Sequence, residues 1–307
     1  MRLRSVTTVL AALLLVVACG GTNAPGTASP PVGGSPTAGS TGPSVFPLVV
    51  SREFGVGRNR GLFAFIDAAT NRQVADPERT VTVEFTGPGG ETAGPVEGTF
   101  IWAIENERAV YATEVDFPVA GAWTAVFRTA APDAPEEAIE FGFDVKEDTS
   151  VLRDGEPAPP VDTPTADDVG GDLARLSTDE DPVADFYRTS VADALSAGEP
   201  FVLAFATPKF CATAQCGPTL DRLKPIAADH PDVTFINVEP YELEVADGQL
   251  QPVLNADGQL QPVAAVGAFG LLTEPYLFVV DSDGIIRASF EAIFSEEEIE
   301  AALAELG

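Results

Sequence analysis

One stretch in the second half of the chain holds two of the three cysteines, Cys211 and Cys216. An apolar run at residues 201–206 precedes them, and its length and composition predict a buried strand. Apolar residues at three- and four-residue spacing follow and predict a helix with Pro218 in its first turn. Cys216 is therefore expected at a helix N-terminus, where unpaired N–H groups and the helix dipole lower the pKa of a thiol. A thiolate at this position is a nucleophile that attacks disulfides.

The turn from strand to helix resembles the active-site turn of the thioredoxin superfamily, whose pattern is Cys-Gly-Pro-Cys. Cys216, Gly217 and Pro218 match the first three positions, but Thr219 stands where that family has its second cysteine. The resemblance implies that the covalent partner of Cys216 is Cys211 instead. In this interpretation Cys216 attacks and Cys211 resolves the adduct. The sequence leaves open whether the disulfide cycles during catalysis or only staples the loop.

The order of the predicted elements after residue 182 also resembles the thioredoxin fold. Strands are predicted at 201–206, 233–238, 276–280 and 285–290, and helices at 183–197, from Cys216 to about residue 230, and at 295–306. Glu274-Pro275 precedes the third strand, at the place of the family's cis-proline. A trans proline at a strand start is the alternative. The resemblance implies that Pro275 binds substrate together with Gly217, Pro218 and Thr219, and that residues 182–307 form an α/β thioredoxin-like domain.

Other chemistries fit the sequence less well. Residues 212–219 also resemble the cysteine loop of glutathione peroxidases, but that family needs a downstream Trp and none follows Phe201. Copper-delivery proteins of the Sco type have three residues between their cysteines and a distant His ligand. Here four residues intervene, and the single His, His230, is expected to be solvated or to cap a helix. We therefore predict no metal site and no cofactor.

The beginning of the chain predicts export. Two arginines precede an apolar run at residues 9–17 that is too short to span a bilayer as a mature helix. The run ends in small residues before Cys19 and resembles the lipobox of bacterial lipoproteins, with ordinary secretion as the alternative. The resemblance implies a signal peptide at 1–18 and an acylated Cys19 that anchors the protein on the extracytoplasmic face of the cell membrane. Residues 19–44, rich in Gly, Ser, Thr, Pro and Ala, are predicted to be a flexible tether.

The chain is strongly acidic, with a formal net charge of −30, and loss of Arg2 and Arg4 with the signal peptide takes it to −32. Such a surface repels nucleic acid and anionic lipid headgroups, so neither is an expected ligand. The expected partners are exported proteins or an envelope redox partner, and the lipid anchor provides the contact with the membrane. With Cys19 acylated, an even number of cysteines remains in a compartment where disulfides persist.

Residues 45–147 show short strand patterns separated by turn residues. Strands are predicted at 46–51, 62–67, 80–85, 99–104, 109–115, 122–128 and 138–145. This spacing predicts an immunoglobulin-like β-sandwich. Residues 117–123 resemble exported sandwich domains of the YtkA-like and CopC-like kind, some of which bind copper through Met and His. The single Met lies in the signal peptide and the single His outside this domain, so the copper site does not transfer. The sequence leaves open whether this domain binds a partner or serves only as a spacer.

Residues 148–181, rich in Pro and Asp, are predicted to be a linker. A later segment repeats: residues 246–253 recur unchanged as 256–263, which suggests a duplicated hairpin arm. The sequence thus predicts a multidomain protein, an all-β immunoglobulin-like sandwich followed by an α/β thioredoxin-like fold. Two functions are open: a thiol-disulfide oxidoreductase that uses Cys216 with Cys211, or a non-catalytic binding or scaffold lipoprotein in which their disulfide is structural.

Overall fold

The first part of the chain consists of β-strands that form two packed sheets. The computed structural model describes residues 42–132 and 134–306. The strands are β1 (Val45–Val49), β2 (Phe54–Gly55), β3 (Gly57–Asp67), β4 (Gln73–Val74), β5 (Thr80–Thr86), β6 (Thr92–Glu97), β7 (Thr99–Ile104), β8 (Arg108–Phe117), β9 (Gly121–Ala131) and β10 (Ala134–Lys146). One sheet has the order β1-β3-β8-β7, with β4 paired to β3, and the other has the order β2-β10-β9-β5-β6.

The space between these sheets is filled by apolar and aromatic side chains. Along β5, Val81, Val83 and Phe85 are buried whereas Thr80 and Glu84 are exposed, which confirms the alternation that the sequence predicts for this strand. Fully buried aromatic side chains from the other strands complete the core: Phe65, Tyr111, Phe117 and Trp123. The burial of this aromatic surface is the main source of stability in this half of the molecule.

The second part of the chain is built around a four-stranded sheet. Its elements are α1 (Val191–Ala197), β11 (Phe201–Phe205), α2 (Cys216–Asp229), β12 (Thr234–Val238), β13 (Leu243–Ala246), β14 (Gln249–Pro252), α3 (Ala264–Ala268), β15 (Tyr276–Val280), β16 (Ile286–Glu291) and α4 (Glu296–Ala304). The sheet order is β12-β11-β15-β16, with β11 parallel to β12 and antiparallel to β15. Every residue of the central strand β11 is buried, as its uninterrupted apolar sequence requires.

Two helices cover one face of this sheet. Helix α2 buries Leu220, Leu223 and Ile226, the apolar residues whose spacing predicts it. Helix α4 begins after Ser295, whose Oγ accepts a hydrogen bond from the Glu298 N–H at 3.2 Å. The Ser295 N–H in turn donates to the Glu298 carboxylate at 2.8 Å. This capping box makes Ser295 the N-cap of α4, within the helix predicted at 295–306.

The segment 148–181, named the strap below, lies against the second part of the chain. Its residue Val151 is buried in the core of the second part, and the Gly155 N–H donates to the Ile286 carbonyl at the edge of the four-stranded sheet at 2.8 Å. These contacts satisfy backbone groups that an isolated linker leaves to water. From Gly42 onwards the chain therefore forms one compact unit.

The two parts are joined by side chains that reach across their boundary. Arg60 on β3 pairs with Glu298 on α4 at 2.6 Å and donates to the Ile293 carbonyl at 2.8 Å. Arg222 on α2 donates to the Trp102 carbonyl on β7 at 3.1 Å. The outer face of the first sheet therefore packs against the turn that leads into α4.

The predicted fold class is wrong. Strands hold 41% of the residues and helices 17%, so the chain is mostly β-sheet and shows no clear α/β thioredoxin-like domain. The helix predicted at 183–197 is a short 3-10 turn, Ala184–Tyr187, and the seven-residue α1. Ser190 is extended and caps α1, which separates the two. The second face of the four-stranded sheet is covered by α1, the five-residue α3 and the extended strap, where an α/β domain has long helices.

Candidate functional site

The cysteine loop connects β11 to α2 at one end of the four-stranded sheet. Cys211 and Cys216 form a disulfide with their Cα atoms 6.0 Å apart, which confirms the predicted pairing. Cys216 is the first residue of the fourteen-residue helix α2, as the sequence predicts. The disulfide therefore bridges the middle of the loop and the start of the helix.

The two sulfur-bearing side chains differ in their exposure. Cys216 is 0% exposed and packs in the core with the apolar face of α2. Cys211 is only partly buried. The role of Cys216 as the attacking thiol stays a prediction, and its burial in the oxidised pair favours Cys211 as the sulfur that a partner meets first. Cys211 is the sulfur that a partner can reach.

Two hydrogen-bond donors lie next to the reachable sulfur. The Cys216 N–H donates to Cys211 Sγ at 3.2 Å. The Thr213 hydroxyl oxygen lies 3.3 Å from the same sulfur. Both groups, together with the positive end of the α2 dipole, favour negative charge on Cys211 when the disulfide opens.

The turn before β15 meets the cysteine loop. The Glu274–Pro275 peptide is cis, which confirms the predicted cis bond, and both residues are buried. One Glu274 carboxylate oxygen accepts from the Ala212 N–H at 3.0 Å, and the Glu274 carbonyl accepts from the Thr213 hydroxyl at 3.1 Å. The loop and the turn are therefore tied by two hydrogen bonds that both end on Glu274.

The remaining predicted site residues occupy different environments at the start of α2. Pro218 is exposed and Gly217 is partly buried, and a Cβ added at Gly217 would meet nothing within 4 Å. Both therefore contribute open surface beside the disulfide. Thr219 is 4% exposed, so its side chain does not reach that surface, and its N–H donates to the Gln215 carbonyl at 2.9 Å within the helix. Cys19, the predicted lipidation site, lies outside the described residues.

A buried polar cluster supports the base of the cysteine loop. Glu239, 7% exposed, accepts hydrogen bonds from the Thr178 N–H at 2.6 Å and the Thr178 hydroxyl at 2.7 Å. The Lys209 N–H, in the segment that leads to Cys211, donates to the same hydroxyl at 3.3 Å. Burial raises the pKa of Glu239 to about 7 despite these hydrogen bonds. A carboxyl group that titrates near neutral pH therefore lies under the loop.

Sequence reasoning missed Thr213, Glu274, Thr178 and Glu239. Glu274 is next to the singled-out Pro275, and Thr213 lies between the two cysteines. Their places in the sequence mark Glu274 and Thr213 as neighbours of predicted site residues. Neither place indicates a hydrogen bond between residues 61 positions apart. The contact of Thr178 with Glu239 depends on the strap, which was predicted to be a linker.

A crevice lined by charged residues is separate from the disulfide. This crevice, of about 450 Å³, lies between the two parts of the chain, where charged side chains of both parts meet, and neither cysteine lines it. Glu291 lies in this crevice and accepts from the Arg52 N–H at 3.1 Å, and burial raises the pKa of Glu291 to about 7. The crevice is therefore a second place where a carboxyl group titrates near neutral pH.

Neither a metal site nor a membrane-spanning helix is evident in the part of the chain that the structure describes. Across residues 42–132 and 134–306, no three His, Cys, Asp or Glu side chains group closely enough to hold a metal ion. Within the same residues, every helix is too short or too polar to cross a membrane.

The chain has few similarities to known proteins. No family model and no curated protein matches it. It is similar to the solved structure of a DUF4426 family protein from Pseudomonas aeruginosa PAO1, with 12% identity, 34% of this chain and 91% of that chain covered, and a TM-score of 0.26. It is also similar to MtrC from Shewanella baltica OS185, with 14% identity, 33% of this chain and 22% of that chain covered, and a TM-score of 0.23. At these scores neither structure carries an argument about fold or function.

Proposed function

We propose that this protein is a lipid-anchored lipoprotein on the extracytoplasmic face of a bacterial membrane that exchanges disulfides with partner dithiols through Cys211 and Cys216. The observation that carries the proposal is the disulfide at the start of α2, in which one sulfur is partly exposed and the other is fully buried. A pair of this kind presents one sulfur to a partner and keeps the other as an internal leaving group.

The proposed exchange begins with the oxidised pair. A partner thiolate attacks Cys211 Sγ, a mixed disulfide forms, and the bond to Cys216 breaks with its electron pair on Cys216 Sγ, which takes a proton. The second thiolate of the partner then attacks the partner's own sulfur in the mixed disulfide and releases Cys211 as a thiolate. The partner loses two electrons and gains a disulfide, and the pair gains the same two electrons.

The N-terminus of α2 stabilises negative charge on each sulfur in the step in which that sulfur leaves. Cys216 leaves at the N-terminus of α2, where the helix dipole stabilises negative charge on the departing sulfur. Cys211 leaves in the second step beside the Cys216 N–H and the Thr213 hydroxyl. Low pKa of a leaving thiol speeds thiol-disulfide exchange.

The surface around the disulfide supports a protein partner. Gly217 and Pro218 leave open surface beside the disulfide, and Pro275 follows Glu274, which accepts two hydrogen bonds from the loop. The net charge of −30 disfavours nucleic acid, so exported proteins or an envelope redox partner are the proposed substrates. Anchoring through Cys19 would hold the disulfide outside the membrane, where such partners are found.

One observation favours a second function. Cys216 is completely buried in the core against which α2 packs, and cysteines of structural disulfides are typically buried in this way. In that case the pair only staples the loop, and the protein is a non-catalytic binding or scaffold lipoprotein.

The reduction potential of the pair separates the two functions. Equilibration of the full chain with glutathione buffers should give a potential within the range of exchanging proteins, roughly −270 to −120 mV. The parent should also accelerate reduction of insulin by dithiothreitol, and Cys211→Ser should abolish this activity. A potential below about −300 mV together with no activity in the parent would leave only the structural disulfide.

A further inference from the structure

The Thr213 hydroxyl lies between two acceptors that belong to different parts of the site. It donates to the Glu274 carbonyl at 3.1 Å, and its oxygen lies 3.3 Å from Cys211 Sγ. The same oxygen accepts from the Gln215 N–H at 3.3 Å. A hydroxyl group has one proton to donate, so it can donate to the carbonyl or to the sulfur but not fully to both.

While the disulfide is intact, the Thr213 hydroxyl donates its hydrogen bond to the Glu274 carbonyl. A disulfide sulfur is uncharged and a weak acceptor, whereas a backbone carbonyl is a strong one. Reduction makes the sulfur the stronger acceptor of the two, because a thiolate at Cys211 accepts a charge-assisted hydrogen bond. The sulfur already receives the Cys216 N–H at 3.2 Å, so the hydroxyl supplies its second donor.

The other acceptor is part of the turn that holds Pro275. Only two side-chain hydrogen bonds, from Thr213 and from the Ala212 N–H, join this turn to the cysteine loop among the described residues. Loss of the Thr213 bond leaves the Glu274 carbonyl free, and only the Ala212 bond then joins the turn to the loop.

We propose that Thr213 is a positioning residue whose hydroxyl changes acceptor from the Glu274 carbonyl to Cys211 Sγ when the disulfide is reduced. The change stabilises the Cys211 thiolate and loosens the turn before β15. No covalent bond changes at Thr213, since its proton stays on the hydroxyl oxygen and only the acceptor differs. This inference rests on the proposed exchange at Cys211.

The first readout is the reactivity of Cys211 in the reduced full chain. Alkylation by iodoacetamide is followed on the Cys211 peptide by mass spectrometry as a function of pH. Thr213→Val removes a hydrogen bond to the charged form, so the midpoint of alkylation should rise by about one pH unit and the rate at pH 6 should fall about tenfold. Thr213→Ser keeps the hydroxyl and should stay within about twofold of the parent.

The second readout is hydrogen exchange of residues 272–276 in the two redox states. Reduction should accelerate exchange there in the parent and in Thr213→Ser. In Thr213→Val the segment should exchange at the same rate in both states, because the hydrogen bond to Glu274 is already absent. Thr273→Val serves as the matched control, a partly buried threonine in the same turn that should behave as the parent.

The outcomes separate this inference from the function on which it rests. Unchanged Cys211 alkylation in Thr213→Val, with exchange activity intact in the parent, overturns the role of Thr213 and leaves the proposed function standing. A parent without exchange activity overturns the function, whatever the alkylation shows. If Thr213→Val fails to fold, Thr213→Ala removes the same hydroxyl without adding bulk and decides the question by the same readouts.

Discussion

The backbone N–H of Cys216 points at the sulfur of Cys211 and donates to it at 3.2 Å. Cys216 therefore provides one sulfur of the disulfide with its side chain, and its backbone N–H stabilises negative charge on the other sulfur, Cys211 Sγ. This arrangement depends on backbone geometry, so it survives replacement of the Cys216 side chain. Single-cysteine variants can consequently separate the roles of the two sulfurs.

We expect Cys216→Ser to accumulate a mixed disulfide and Cys211→Ser to form one at least about tenfold more slowly. The reason is that Cys211 is partly exposed and has thiolate-stabilising donors, whereas Cys216 is 0% exposed. The measurement is the rate at which each reduced variant couples to a small aromatic disulfide at neutral pH. Faster coupling through Cys216 would restore the roles that the sequence alone suggested.

The full chain isolated without reductant should contain the disulfide, with a mass lower by two hydrogens than that of the reduced protein. Because the bridge closes a loop of only six residues, with a sequence separation of five, its removal should lower the unfolding free energy by about 2 kcal/mol. Urea unfolding of Cys211→Ser/Cys216→Ser against the oxidised parent gives this value. Two freely alkylated thiols in the isolated protein would contradict the pairing.

Stability should fall as the pH rises from about 4.5 to about 7, because burial raises the pKa of Glu239 from 4.5 to about 7. The folded protein binds this proton more tightly than the unfolded chain, so the proton contributes stability at low pH that is lost through this window. Glu239→Gln cannot ionise and should flatten the fall by on the order of 2 to 3 kcal/mol.

The pH dependence of the urea midpoint between pH 4 and pH 8 tests this expectation. Glu291→Gln is a second test variant, in the crevice, since burial also raises the pKa of Glu291 to about 7. Each variant should reduce the fall of the urea midpoint with rising pH, and the double variant should reduce it more than either single variant. A parent whose stability rises across the window would show that neither carboxyl group titrates as expected.

Arg60→Met should lower the unfolding free energy by about 3 kcal/mol, because it removes the guanidinium partner of the partly buried Glu298 carboxylate and the donor to the Ile293 carbonyl. Glu298→Gln keeps the capping box possible, so Arg60→Met/Glu298→Gln should recover more than half of the loss. Urea unfolding provides the measurement. Arg58→Met is the exposed control: its pair with Glu114 has side chains 61% and 66% exposed, and its loss should have little effect.

Radiolabelled palmitate should enter the protein through Cys19, and Cys19→Ala should remove the label and release the protein from the membrane fraction. A single cysteine that carries the acyl chains explains both results. Cys211→Ser, which leaves the lipobox intact, is the control and should keep the label. Label that persists in Cys19→Ala would contradict the anchor.

Local sequence was sufficient for features that depend on neighbours in the chain. The alternation of Val81, Val83 and Phe85, the N-cap at Ser295 and the start of α2 at Cys216 follow from periodicity and capping, which act over a few residues. The cysteine pairing came from the family resemblance of the same short stretch, and it joins two residues five positions apart in one loop.

Only the tertiary structure decided the fold class and the chemistry of the site. The sequence predicted a helix at 183–197, but tertiary contacts shortened it, and the strap covers a sheet face where helices were expected. Which sulfur is exposed depends on how α2 packs in the core. The bond of Thr213 to Glu274 joins residues 61 positions apart. Burial and such long-range contacts depend on the assembled chain, and no local pattern encodes them.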